Sequence, residues 1–129
     1  MPSVGDPSTD RRWPRYVFGV GTDPDPRFSF ANERTFLAWI RTALGFLAAG
    51  VAVAAVAGLG GRTGLEERLA PLLLVVCGLV SGIGALVRWM RSERALRLER
   101  PLPSSTLMPV LTVVLVLTGV AALVVVAAR

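Results

Sequence analysis

Three stretches without a single charged residue divide this chain. They hold 20 residues between Arg41 and Arg62, 19 between Arg68 and Arg88, and 28 between Arg100 and Arg129. A helix crossing a ~30 Å hydrocarbon core at ~1.5 Å rise per residue needs about 20 apolar residues. The pattern therefore predicts three transmembrane helices, at about 36–57, 69–90 and 107–128. Charged residues make up only 18% of the 129-residue chain and hydrophobic ones 53%, which is too little charge to cover a soluble domain of that size. The expected fold is an all-α integral membrane protein, with a three-helix domain over 16–128 and a flexible N-terminal leader over 1–15.

The first apolar stretch does not look like a signal peptide, because some 35 mostly polar residues precede it, among them Pro2, Pro7, Pro14, Pro24 and Pro26. "GLGGRTG" (58–64) reads as the turn after the first helix. Pro71 and Pro109 are expected in the first turns of helices two and three, where a missing N–H costs little. Ser104, Ser105 or Thr106 can cap the third.

Arginine counting sets the orientation. The leader carries Arg11, Arg12, Arg15, Arg27 and Arg34, and the second loop carries Arg88, Arg91, Arg94, Arg97 and Arg100. The first loop has Arg62 and Arg68 balanced by Glu66 and Glu67. Positive-inside bias places the N-terminus and second loop in the cytoplasm, and the first loop and C-terminus outside. The same bias explains the net charge of +5 without nucleic acid as a partner. "RWMRSERALRLER" (88–100) keeps helical character, with Glu93 and Arg97 at i, i+4 spacing. This run is expected to project past the headgroups, as a solvated face that also attracts anionic lipid.

The chain has no histidine and one cysteine, Cys77. That excludes a disulfide framework, a metal cluster and His-based catalysis. The carboxylates lie in loops or in the leader, and no nucleophile–base pair is visible. The glycine turn lacks a Walker lysine. An enzyme is not expected, nor is a cofactor.

Arg41 is the informative residue. If the first span began only after it, 42–57 would supply about 24 Å, short of the ~30 Å core. A start at Phe36 gives about 33 Å and leaves Arg41 inside the span. At about 100° per residue, Arg34, Ala38, Arg41, Gly45, Ala48 and Ala52 share an arc of about 80°, opposite Phe36, Ile40 and Leu47. Two placements fit. Either the small, cationic face turns toward other protein, as intramembrane charges normally do, or Arg41 snorkels to a lipid phosphate while Trp39 and Trp89 anchor the interface. On the second helix, Arg88, Gly84, Ser81 and Cys77 share a face with Arg91 at its edge, and Gly78 and Gly82 form a GxxxG pair suited to tight packing. Asn32 is expected to cap the first helix. Glu33 suits the helix dipole or a neighbour's arginine.

"FANERTFLAWIRT" (30–42), with "DPDPRF" before it and the basic second loop after it, resembles the YidH-like family of small three-helix bacterial inner-membrane proteins, a domain of unknown function. The likeness extends over roughly Tyr16 to Ala128. A similar domain forms the membrane part of the eukaryotic vacuolar transporter chaperone complex. There, such domains assemble in a ring whose basic residues line a path for polyphosphate. The resemblance implies that Arg34 matches a channel-lining cation and that Arg88 occupies a place also held by a basic residue. It transfers no role to Arg41. This chain departs from that complex in having no lysine and no cytosolic catalytic domain, so it is not expected to make polyphosphate.

The expectation that follows is a multi-pass protein in the plasma (inner) membrane of a bacterium. Copies of it would form a homo-oligomer with Arg34, Arg41 and Arg88 as stacked cationic rings at the cytoplasmic side, and Arg34, Arg41, Arg88 and Arg91 would bind the anion, a phosphate, polyphosphate or lipid headgroup. Gly45, Gly78, Gly82 and Gly84 would serve helix packing. The alternative is an accessory subunit that scaffolds a larger membrane complex.

Overall fold

The run "DPDPR" opens the first long helix, ten residues ahead of the apolar stretch. Asp25 is its N-cap, accepting from the backbone N–H of Arg27 at 2.9 Å, and Pro26 occupies the first helical position. A computed structural model describes residues 10–61 and 64–127 and contains four helices: α1 (Arg15–Phe18), α2 (Pro26–Leu59), α3 (Leu65–Arg97) and α4 (Leu107–Ala127). Residues 1–9 of the expected leader, Arg62, and Ala128 at the expected end of the third span lie outside the described residues.

The fold is all-helical, and α2 and α3 are each long and apolar enough to cross a membrane. A third, shorter apolar stretch, Leu107–Val120, lies in α4. At ~1.5 Å per residue the 34-residue α2 and 33-residue α3 are each about 50 Å long, well beyond a ~30 Å core. Both overrun the predicted spans mainly at the same end, where Ser29, Asn32, Glu93 and Arg97 extend the helices in polar sequence. Hydropathy alone marks the apolar part of a helix and not its cap, which is why α2 was expected to begin ten residues later.

α2 and α3 form an antiparallel hairpin closed by glycines. A Cβ on Gly78 would come within 2.7 Å of Leu47 and 2.9 Å of the Ala43 carbonyl, so the backbones approach as closely as a bare glycine permits. Gly50 makes the reciprocal contact against Val75 and Pro71. Gly82 lies in ordinary contact with Ala43. Pro71 lies in the second turn of α3 instead of the first, where it removes the bond to the carbonyl of residue 67. Glu67 accepts from the Gly64 N–H at 3.1 Å, half of a capping box at the start of α3. α4 is attached more lightly, through Leu107 packed on Gly84 and through the buried Leu111.

Burial is inverted relative to a water-soluble protein. Among the described residues the buried apolar side chains are Val17, Ala43, Pro71, Ala85 and Leu111, whereas Leu44, Val51, Leu73, Ile83, Val113 and Leu117 are among many exposed ones. Ser81, Ser92, Glu93 and Arg97 are buried. Such an exterior is stable only against lipid or other protein.

α3 ends in a Schellman motif. Arg100 N–H bonds to the Ala95 carbonyl at 2.9 Å and Glu99 N–H to Leu96 at 3.3 Å, with Glu99 at φ 52° in the left-handed position that glycine usually fills.

Candidate functional site

The overrunning ends of α2 and α3 build a polar clamp. Glu93 is 4% exposed, and its carboxylate accepts from Ser29 Oγ at 2.7 Å and Asn32 Nδ2 at 3.1 Å. Asn32 Nδ2 also donates to the Trp89 carbonyl at 3.2 Å. Asn32 is therefore an interhelical tie inside α2 and not its cap, a role that passes to Asp25. Glu33 is exposed about two turns into α2, past the reach of the helix-terminal dipole.

The segment from Asp10 to Asp25 folds back over this clamp. Val17 is fully buried, and Phe18 and Phe36 each sit 6.4 Å from the Trp89 ring. Gly21, at φ 62°, lies so close to α3 that a Cβ would stand 2.0 Å from the Arg97 carbonyl, which accepts from Thr22 N–H at 3.2 Å. Of the expected flexible leader, the described part, Asp10–Arg15, is tied down: Asp10 binds Arg12 at 2.6 Å, and the Asp10 carbonyl accepts from Arg15 Nη1. Asp23 joins Arg12 at 2.8 Å to Arg97 at 2.5 Å. Hydrogen bonding from the Arg12 guanidinium lowers the Asp23 carboxyl below its ordinary range, and holds Asp10 down to about 2.

The arginines of the basic run have separate surroundings. Arg97 is almost fully buried on Asp23 and over the Phe18 ring, in place of the expected i, i+4 pairing with Glu93. Arg94 donates to the Tyr16 carbonyl at 2.6 Å and covers the Tyr16 ring. Arg88 and Arg91 line a cleft of about 240 Å³ between the end of α3, residues 103–106 and the start of α4. The Arg88 guanidinium lies 5.9 Å over the Trp39 ring, and its Nη1 is buried without a hydrogen-bond partner among the described residues.

Arg34 and Arg41 lie elsewhere. Arg34, Ala38, Arg41, Gly45, Ala48 and Ala52 are all exposed, and nothing comes within 4 Å of a Cβ on Gly45. Phe36, Ile40 and Leu47, the opposite face, are partly buried, with Leu47 against Gly78. The structure thus brings Arg34 and Arg41 together on one open face of α2, and Arg88 and Arg91 together in a cleft, but the four do not share one surface within the chain. Of the glycines, Gly50, Gly78 and Gly84 pack within the chain and Gly45 does not. Ser29, Asp23 and Gly21 were not singled out from sequence. Their one visible signal was polar and turn-forming residues set just ahead of a hydrophobic helix.

An antiparallel pair of apolar helices, capped by a polar clamp and leaving most apolar side chains outward, defines a small helical membrane protein. The model of the family "Domain of unknown function (DUF202)" matches residues 27–95, covering α2 and nearly all of α3, and the chain belongs to that family. It is 54% identical over 78 residues to the inner membrane protein YidH of Escherichia coli (strain K12), covering 60% of this chain and 67% of that protein. It is 48% identical over 75 residues to an uncharacterized protein of Mycobacterium tuberculosis (strain ATCC 25618 / H37Rv), covering 58% and 61%. No solved structure matches. The chain is a YidH-like protein of the bacterial inner membrane.

Proposed function

We propose that this chain is a non-enzymatic, three-span membrane protein whose copies pack side by side through the open face of α2, presenting Arg34 and Arg41 as cationic rings that bind or pass a phosphate-class anion at the cytoplasmic side. The row Arg34, Ala38, Arg41, Gly45, Ala48 and Ala52, exposed along its whole length, carries the reading. From Arg41 to the end of α2 at Leu59 is about 27 Å, less than the ~30 Å core, so a guanidinium at this position sits within the bilayer. Facing lipid costs an arginine up to about 2.5–3.5 kcal/mol at the bilayer centre and less this close to the interface, a cost that a neighbouring copy removes. Small residues below it allow such a neighbour to approach closely. Glu33, exposed beside Arg34, then pairs with a neighbour's arginine. Polyphosphate and phosphate are the proposed anions, in keeping with the resemblance to the membrane part of the vacuolar transporter chaperone complex. The test is native mass spectrometry of the purified protein together with anion flux in liposomes. A closed ring of one chain, with flux lowered by Arg34→Ala and Arg41→Leu, is the expected result. A monomer, or both variants with full flux, overturns the reading.

A further inference from the structure

The cleft holding Arg88 and Arg91 is linked to an apolar groove through Trp39, which lines the groove and whose ring lies 5.9 Å under the Arg88 guanidinium. We infer that this composite site binds an anionic phospholipid, with its phosphate between Arg88, Arg91 and Ser105 and an acyl chain between α2 and α4. The inference rests on membrane placement and not on the oligomer proposed above. Three observations carry it. First, the polar end presents donors that the protein itself leaves unused: Arg88 Nη1 and Ser105 Oγ are both buried without a hydrogen-bond partner among the described residues. Buried donors are almost always satisfied, and a guanidinium most strongly by an anionic oxygen. Second, the rest of the cleft has the same sign. Arg91 lines it, no carboxylate does, and α4, a 21-residue helix, begins at its wall with Leu107.

Third, a separate groove of about 350 Å³ lies between Ala38, Trp39, Thr42 and Phe46 of α2 and Leu111, Thr112 and Leu115 of α4. Trp39 joins the two, lining the groove while Arg88 covers its ring. Both groove hydroxyls are turned back on their own helices, Thr42 to the Ala38 carbonyl at 3.3 Å and Thr112 to the Met108 carbonyl at 2.9 Å. The groove surface is therefore apolar. Free phosphate or a polyphosphate has use for the cleft alone. An acyl-bearing phosphodiester fills both ends, and an indole at the junction suits the level of lipid headgroups.

The test is lipid retention by the full-length protein in mild detergent, read by native mass spectrometry after titration with phosphatidylglycerol or phosphatidylcholine. The wild type retains phosphatidylglycerol in preference. Arg88→Gln lowers that retention about tenfold or more, the scale of a lost charge-assisted hydrogen bond. Ser105→Ala lowers it less, and Thr112→Phe, which fills the groove, lowers it without altering any charge. Circular dichroism confirms folding, and Ser105→Ala reports on the cleft should Arg88→Gln fail to fold. Equal retention of the two lipids overturns the inference. So does retention unmoved by Thr112→Phe while inorganic phosphate competes, which marks a free-anion site. Loss of the oligomer in Thr112→Phe with lipid retention intact also overturns it, since the groove then belongs to a second copy.

Discussion

Asn32 of α2 bridges two points of α3, donating to the Glu93 carboxylate at 3.1 Å and to the Trp89 carbonyl at 3.2 Å. This part-buried tie fixes the register of the hairpin where it leaves the apolar zone. Asn32→Ala leaves Glu93 with Ser29 as its remaining hydrogen-bond donor and costs about 1.5–3 kcal/mol, the range for hydrogen bonds to charged groups. Denaturant unfolding in detergent measures it. An unchanged midpoint would show the tie to be dispensable.

Gly78 and Gly45 give opposite expectations from the same substitution. Gly78→Ala forces a methyl against Leu47 and the Ala43 carbonyl and destabilises the hairpin by about 1–3 kcal/mol. Gly45→Ala meets nothing within 4 Å in the chain and keeps hairpin stability or raises it by up to about 1 kcal/mol through helix propensity. Thermal unfolding of both variants, alongside their oligomeric mass, tells the internal interface from the external one.

Gly21→Ala detaches the N-terminal segment. The left-handed backbone costs an L-residue about 1–2 kcal/mol, and the added methyl collides with the Arg97 carbonyl. Hydrogen exchange over residues 10–24 is expected to accelerate while α2 and α3 keep their protection.

Acid releases the same segment. Asp10 falls from its ordinary 3.8 to about 2 and Asp23 is lowered too, both first through hydrogen bonds with Arg12. A lowered carboxyl contributes stability that is complete above its ordinary pKa and lost as pH falls through the depressed value. Protection over 10–24, measured as exchange relative to its intrinsic rate at each pH, is thus level above about pH 5 and falls between about pH 4 and 2. In Arg12→Gln that step shifts upward in pH.

Glu99→Gly places the preferred residue at the Schellman position of α3. It stabilises the end of the helix by about 1 kcal/mol, read as a raised unfolding midpoint.

The membrane helices were legible because uncharged stretches of about 20 residues have few other uses. The small, cationic face of α2 was legible too, since six positions at 3.6-residue spacing identify a surface whatever covers it. The polar clamp was not. Glu93 looks like an ordinary helix-surface carboxylate beside Arg97, and only the fold reveals that Asn32, 61 residues away, claims it. The same holds for Asp23 and Arg97, 74 residues apart. A capping aspartate ahead of polar helical turns carries no hydropathy signal, so Asn32 was the nearest cap in view of the apolar run.

Arg88, Arg91, Arg94 and Arg97 step by three on a 3.6-residue helix, so each successive guanidinium turns back by about 60° and the last emerges opposite the first. The run is a spiral fan and not a stripe, which is how one helix turns Arg97 and Arg94 to the folded-back N-terminus and Arg88 and Arg91 to α4. Deleting these charges one at a time is therefore expected to give two unrelated phenotypes, a loosened N-terminal segment from the distal pair and, on the lipid site proposed above, weaker headgroup binding from the proximal pair.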